Sequence, residues 1–259
     1  MKRIAIKIGS NVLARRDGTL DITRMSALVD QVVSLRRAGM EVVMISSGAV
    51  AAGRSEMRGV DRLDTVSARQ LFSAVGQVKL INHYYEFFRD HGMACGQVLT
   101  LKESFSTRRH YLNQKHCMEV MLENGVIPIV NENDTVSTDE IVIGDNDTLS
   151  ANVASTIGAD LLVLLSDIDG LYDADPHKNP NAKLIDTVER LDERIFALAG
   201  GEGSSLGTGG MVTKLRAAKI ATEAGCEMVI ANGSRPEVLY DIMDGKAVGT
   251  RFLTQEETK

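Results

Sequence analysis

The sequence predicts an α/β fold: a three-layer α/β/α sandwich around a mainly parallel central sheet. Three observations predict it. Short apolar, β-branched runs alternate along the chain with longer amphipathic ones. Several short runs are apolar at consecutive positions, as parallel strands buried on both faces must be. Glycines (Gly92, Gly125, Gly158 and Gly225) stand where a long run gives way to a short one, the position of a helix stop.

The elements follow in order. RIAIKI (3–8), EVVMIS (41–46), MACGQVLT (93–100), VIPIV (126–130), DLLVLLS (160–166) and EMVIA (227–231) read as strands. Residues 22–38 carry Ile22, Met25, Leu28, Val29, Val32 and Leu35 at helical spacing, with Gly39 as the stop. Residues 66–90, 110–124, 147–157, 211–224 and 235–244 read as helices on the same grounds. TDEIVIGD (138–145) alternates and reads as a short hairpin arm. The turn-rich DADPHKNPNAK (173–183) is expected to separate two halves of the sheet. This β-α-β-α order puts helices on both faces, and ligands then bind beyond the carboxyl ends of the strands.

Composition narrows the function. With 259 residues the chain is long enough to bury a core without disulfide or metal staples. Its 29 Lys+Arg against 35 Asp+Glu give a net charge of −6, which disfavours nucleic acid and anionic membranes as partners. Aromatic residues are 4% and Trp is absent, so base-stacking platforms are not expected. Cys95, Cys117 and Cys226 lack zinc spacing and read as reduced, mostly buried thiols. No apolar run approaches the ~18–20 residues of a membrane span. The N-terminal segment meets Lys7 too early for a signal-peptide core, so a cytoplasmic protein is expected.

Several residues are out of place for a purely structural pattern. Lys7 interrupts an apolar strand, where it must pair with an anion or lose its charge. ISSGAVAAG (45–53) ends a strand and opens a small-residue helix, whose free N–H groups and serines suit an anion. NENDTVSTDE (131–140) follows a strand with four polar or acidic residues, and Asp134 there can hold an ammonium group. GDNDTLSA (144–151) sets Asp145, Asn146 and Asp147 at a helix start, more acid than capping needs. GTGGMVTK (207–214) opens a helix on three glycines with Lys214 one turn in, a cradle for phosphate. SDIDGLYDADP (166–176) can line a base and ribose. The chain has neither a Walker A string nor the glycine fingerprint of dinucleotide folds, and no histidine pair.

Two lysines, glycine-rich helix starts and carboxylates without a histidine base suit phosphoryl transfer, which depends on positioning and charge neutralisation. A carboxylate acceptor is already ionised at neutral pH, with a reference pKa of ~4. The remaining task is to bring two anions together, and lysines with Mg²⁺ on the phosphates do that.

KIGSNVL, SSGAVAAGR, NENDTVST, GDNDTLSA, SDIDGLYDADP and GTGGMVTKL, in this order, resemble the motif series of the amino acid kinase family. The resemblance runs from residue 3 to about residue 253 and is strongest to members that phosphorylate free glutamate. It implies an amino acid kinase-like fold in a single domain. It further implies that approximately residues 1–165 form the acceptor half and 166–259 the nucleotide half. It also implies conversion of L-glutamate and ATP to L-glutamyl 5-phosphate and ADP, the first step of proline synthesis.

By the same resemblance Lys7 and Lys214 handle the transferring phosphoryl group and Asp147 holds them in place. Ser47, Asp134 and Asn146 resemble glutamate-binding residues. Gly9, Ser10 and Gly48 resemble backbone donors to phosphate. Ser166 and Asp167, with Thr208, Gly209, Gly210, Met211, Val212, Thr213 and Lys214, resemble the ATP site. No separate protein metal site is implied, the Mg²⁺ being held mainly by the nucleotide. Residues 101–116 look like a mobile loop over the amino acid site, where proline feedback is typical. A homo-oligomer and coupling to glutamyl phosphate reductase are further implied. Many members carry a C-terminal RNA-modification-enzyme-like (PUA) module, whereas this chain stops at TQEETK. Acetylglutamate kinase, aspartokinase, carbamate kinase and uridylate kinase activities share the fold, and the NEND and GDND segments favour glutamate among them. A silent amino acid sensor is disfavoured by the presence of Lys7, Lys214 and Asp147, and a nicotinamide dehydrogenase by the missing fingerprint.

Overall fold

The computed structural model describes residues 2–57, 59–60, 63–101, 103–136, 146–176, 178–199 and 210–254. Its strands are β1 (Arg3–Ile8), β2 (Glu41–Ser46), β3 (Cys95–Thr100), β4 (Ile127–Glu132), β5 (Leu161–Ser166), β6 (Thr187–Val188), β7 (Glu227–Asn232) and β8 (Thr250–Phe252). They form one sheet in the order β3-β4-β2-β1-β5-β7-β8-β6. Pairing is parallel throughout, apart from the antiparallel β7–β8 pair. All six expected strands are present. Strands β6 and β8 were not expected, because two or three residues leave no periodic signal. The strands before the 173–183 stretch fill one side of the sheet and those after it fill the other, joined where β5 pairs with β7. The expected hairpin arm at 138–145 lies outside the described residues.

The helices are α1 (Ser10–Leu13), α2 (Ile22–Arg37), α3 (Ala49–Glu56), α4 (Thr65–Asp90), α5 (Glu103–Ser106), α6 (Arg108–Glu123), α7 (Asn146–Ile157), α8 (Glu193–Leu198), α9 (Met211–Glu223) and α10 (Val238–Met243). They cover the sheet on both faces. Strand alternation sends Ile4, Ile6 and Ile8 into a core with α2, α4 and α10, through Leu28, Leu80 and Leu239. Ala5 points the other way, into a core with α6, α7 and α9, through Met118, Ala151 and Leu215. Each fully buried large aliphatic side chain contributes about 1.5–3 kcal/mol of apolar burial. Lys7 shares the parity of Ala5, so it emerges on the α7 and α9 side. No described helix is long and apolar enough to cross a membrane.

Helices α3 and α4 meet backbone to backbone. A Cβ on Gly76 would land on the Ala49 carbonyl oxygen and the Gly53 nitrogen, and one on Gly53 would land on the Phe72 carbonyl. Only glycine allows this approach. Of the three free thiols, Cys226 alone is buried. The expectation of mostly buried cysteines is corrected at Cys117, which sits exposed on α6, a helix whose buried residues include Met118 and Leu122.

Candidate active site

A cleft of about 450 Å³ opens beyond the carboxyl ends of β1, β2, β4 and β5, where an open α/β sheet binds its ligands. Its floor is a buried charge cluster. Lys7 Nζ donates to Asp147 Oδ1 at 2.6 Å, and Lys214 Nζ donates to Asp147 Oδ2 at 3.0 Å. Thr213 Oγ1 donates to the same Oδ2 at 3.0 Å. Lys7 is 7% exposed, Lys214 4% and Asp147 2%. Burial alone would raise the Asp147 pKa, but the Lys7 and Lys214 ammonium groups outweigh it and hold the carboxyl below its ordinary range. The three groups come from β1, α7 and α9, so the cluster exists only in the folded chain.

Three helix starts at this cleft differ from those of α2, α4, α6 and α8. Asp21, Asp64, Thr107 and Asp192 cap α2, α4, α6 and α8 through their own side chains. Gly9, Gly48 and Gly210 precede α1, α3 and α9 and supply no such cap. The first-turn N–H groups there are left for an anion. Gly48 has φ 106°, a left-handed backbone that lets the chain turn from β2 directly into α3. Asn11 Nδ2 donates to Asp167 Oδ2 at 2.8 Å, and Ser166 Oγ donates to Asp167 Oδ1 at 3.1 Å. Burial opposes ionisation of Asp167, yet these bonds hold its pKa below the ordinary value.

The other wall is built by α4 and the end of β4. Arg69 donates to Asp134 Oδ1 through Nε at 3.1 Å and Nη2 at 2.9 Å, and its Nη2 lies 3.9 Å from Glu132 Oε2. Ser73 Oγ donates to Asp134 Oδ2 at 3.4 Å. Asn131 Nδ2 donates to Gln77 Oε1 at 2.8 Å. Between the two walls, Asn146 Nδ2 donates to Ser47 Oγ at 2.7 Å.

The structure therefore brings together Lys7, Gly9, Ser10, Ser47, Gly48, Asp134, Asn146, Asp147, Ser166, Asp167 and Lys214 around one cleft. Thr213 reaches the cleft floor through its bond to Asp147, and Gly210 opens the helix that carries Lys214. Met211 and Val212 lie in the first turn of α9 but do not line the cleft. Thr208 and Gly209 lie outside the described residues. The expected loop at 101–116 is mostly helical where described, as α5 and the start of α6, and none of its described residues lines the cleft. Sequence reasoning missed Arg69 altogether. It noticed Asn131 and Glu132 as polar but gave them no part. Arg69 has no local signal, since its partners stand some sixty residues away.

The model of the amino acid kinase family matches residues 2–232. A glutamate 5-kinase of Bacteroides thetaiotaomicron is 56% identical over 260 residues, covering 98% of this chain and 71% of that protein. A glutamate 5-kinase of Clostridium acetobutylicum is 46% identical over 257 residues, covering 99% of this chain and 96% of that protein. Among solved structures, a carbamate kinase from Giardia lamblia bound to AMP-PNP has a TM-score of 0.69 at 18% identity, covering 98% of this chain and 99% of its own. A UMP kinase from Bacillus anthracis has a TM-score of 0.64 at 18% identity, covering 98% of this chain and 97% of its own. These two share the fold.

Proposed function

This chain belongs to the amino acid kinase family, and on that premise we propose that it moves the γ-phosphoryl group of ATP to the side-chain carboxylate of L-glutamate. The products are L-glutamyl 5-phosphate and ADP, and the reaction opens proline biosynthesis. The observation that carries the reading is the pair of lysine nitrogens held on one buried carboxylate at the strand ends.

The chemistry needs little beyond that pair. A glutamate side chain, with a reference pKa of about 4.3, is already a carboxylate at neutral pH, so no general base is required. One carboxylate oxygen forms a bond to the γ-phosphorus while the bond from phosphorus to the β,γ-bridging oxygen breaks. The electron pair leaves with ADP, and no proton moves. The obstacle is repulsion between two anions. Lys7 and Lys214 are assigned to offset it, one reaching from β1 and one from α9. Asp147 accepts from both nitrogens and fixes their positions, so the site is organised before the phosphate arrives.

The open N–H groups after Gly9, Gly48 and Gly210 are assigned to phosphate oxygens, with Ser10, Ser166, Asp167 and the 208–213 segment on the nucleotide. Ser47, Asp134 and Asn146 are assigned to glutamate. On this assignment residues 1–165 supply the acceptor half and 166–259 the nucleotide half. The nucleotide is taken as MgATP. The Asp147 oxygens already accept from Lys7, Lys214 and Thr213, which favours a cation carried on the phosphates. Its role there is to screen phosphate charge. A cytoplasmic homo-oligomer (dimer or tetramer), feedback by proline, and transfer of the reactive acyl phosphate to glutamyl phosphate reductase complete the proposal.

The test is ADP release with glutamate, N-acetylglutamate, aspartate and UMP side by side, with and without proline. Turnover with glutamate alone, slowed by proline, is expected. Preference for any other acceptor overturns the substrate assignment.

A further inference from the structure

Three buried side-chain polar atoms lack a hydrogen-bond partner among the described residues: Gln114 Nε2, Glu132 Oε1 and Asn146 Oδ1. The last two belong to residues that line the cleft, and both are acceptors. Glu132 is the more telling. It ends β4, its side chain is only 8% exposed, and a carboxylate so buried needs a cation. Its nearest one is poorly placed. The Arg69 guanidinium spends its short bonds on Asp134, at 2.9 and 3.1 Å, and stands 3.9 Å from Glu132 Oε2. Glu132 Oε1 has nothing. Among the described residues one guanidinium thus serves two carboxylates, and a net negative charge stands next to an unsatisfied acceptor.

We propose that Glu132 is a specificity-determining residue whose free oxygen accepts a hydrogen bond from the α-ammonium group of the acceptor amino acid. An ammonium group fits because it is cationic and has three donors and no acceptor. A hydroxyl or an acylated nitrogen would leave the charge uncompensated. Asn146 Oδ1 is a second acceptor for the same group, since its amide nitrogen is already committed to Ser47. The inference rests on the proposed amino acid phosphorylation and deepens it. It makes a free amino group a requirement on the acceptor, one that the phosphate-binding lysines cannot impose.

The experiment compares glutamate with glutarate, the same five-carbon diacid without the amino group, in the full chain and in Glu132→Gln. Glu132→Gln keeps the shape and removes the charge. The glutamate KM is expected to rise roughly 10–100-fold, the scale of one hydrogen bond to a charged group. The ATP KM should stay within about twofold. The preference for glutamate over glutarate, read as a kcat/KM ratio, should fall by the same factor as glutamate loses affinity, because glutarate never used the contact. An unchanged ratio overturns the inference, even if both KM values rise, since a merely structural Glu132 would weaken both acceptors alike. If Glu132→Gln does not fold, Glu132→Asp carries the same test, its shorter reach also lowering the ratio. Unmodified protein that releases no ADP with glutamate overturns the underlying assignment and this inference with it. Unmodified protein that works, with a ratio unaltered by the substitution, overturns this inference alone.

Discussion

Two buried charge clusters line one cleft, and their compositions are inverted. At the floor, two ammonium groups share a single carboxylate: Lys7, Lys214 and Asp147. At the wall, two carboxylates share a single guanidinium: Asp134, Glu132 and Arg69. Among the described residues the first arrangement counts one more cation than anion and the second one more anion than cation. Neither surplus helps folding, because burying an incompletely matched charge costs free energy. Each makes sense as half of a contact that a ligand completes. A molecule with an anionic tail and a cationic head spans the two, and glutamate is such a molecule.

The harshest way to break this comparison is to delete the carboxylate that both lysines share. Asp147→Ala leaves two buried ammonium groups facing each other and is expected to cost about 3–5 kcal/mol of stability, measured by urea denaturation. The same carboxylate has a pH signature. Its folded-state pKa is held below 3.8, the value of the free side chain, so its contribution is complete above that pH. The contribution fades as pH falls through the lower, folded-state value. The stability gap between the unmodified protein and Asp147→Asn should therefore be constant near neutrality and close on the acid side. A gap that instead closes toward alkaline pH would contradict the pairing.

Lys214→Ala keeps the anion and removes one cation. The loss in kcat should be roughly 10²–10³, the scale of one preorganised charge-stabilising donor, with little change in the glutamate KM. Near-normal turnover would take Lys214 out of the reaction. At the opposite wall, Asp134→Ala sharpens the contrast by acting on affinity. The glutamate KM should climb by roughly 10-fold while kcat moves less, as measured by steady-state kinetics with ATP saturating. If kcat collapsed instead, the division between a phosphate end and an ammonium end would not stand.

The two clusters also differ in how plainly the sequence announces them. Lys7 is conspicuous because a charged residue inside RIAIKI contradicts the strand around it. Asp147 and Lys214 stand out because acids or glycines crowd a helix start beyond what capping requires. Local patterning is enough for all three. Arg69 has no such mark. It lies in the second turn of the long helix α4, where an arginine is ordinary, and acquires meaning only when the chain folds back to set it beside Asp134. Glu132 was visible as one polar residue among four, but its unpaired oxygen depends on how Arg69 divides its bonds. The sheet's long strands and main helices were legible from apolar periodicity. Strands β6 and β8 were not, because they are held by neighbours in the sheet and not by any preference of their own.

The contact of α3 with α4 through Gly53 and Gly76 bears on how such a cleft can change over evolutionary time. No side chain separates the two main chains there, so nothing between them can be trimmed or rotated to re-angle one against the other. The start of α3 and the α4 residues that hold the end of β4 therefore behave as one stiff jaw. A lineage adopting a longer or shorter acceptor must do so by exchanging the teeth, at positions such as Ser47, Glu132, Asp134 and Asn146. Altering the bite itself would require prising open a joint made of bare backbone.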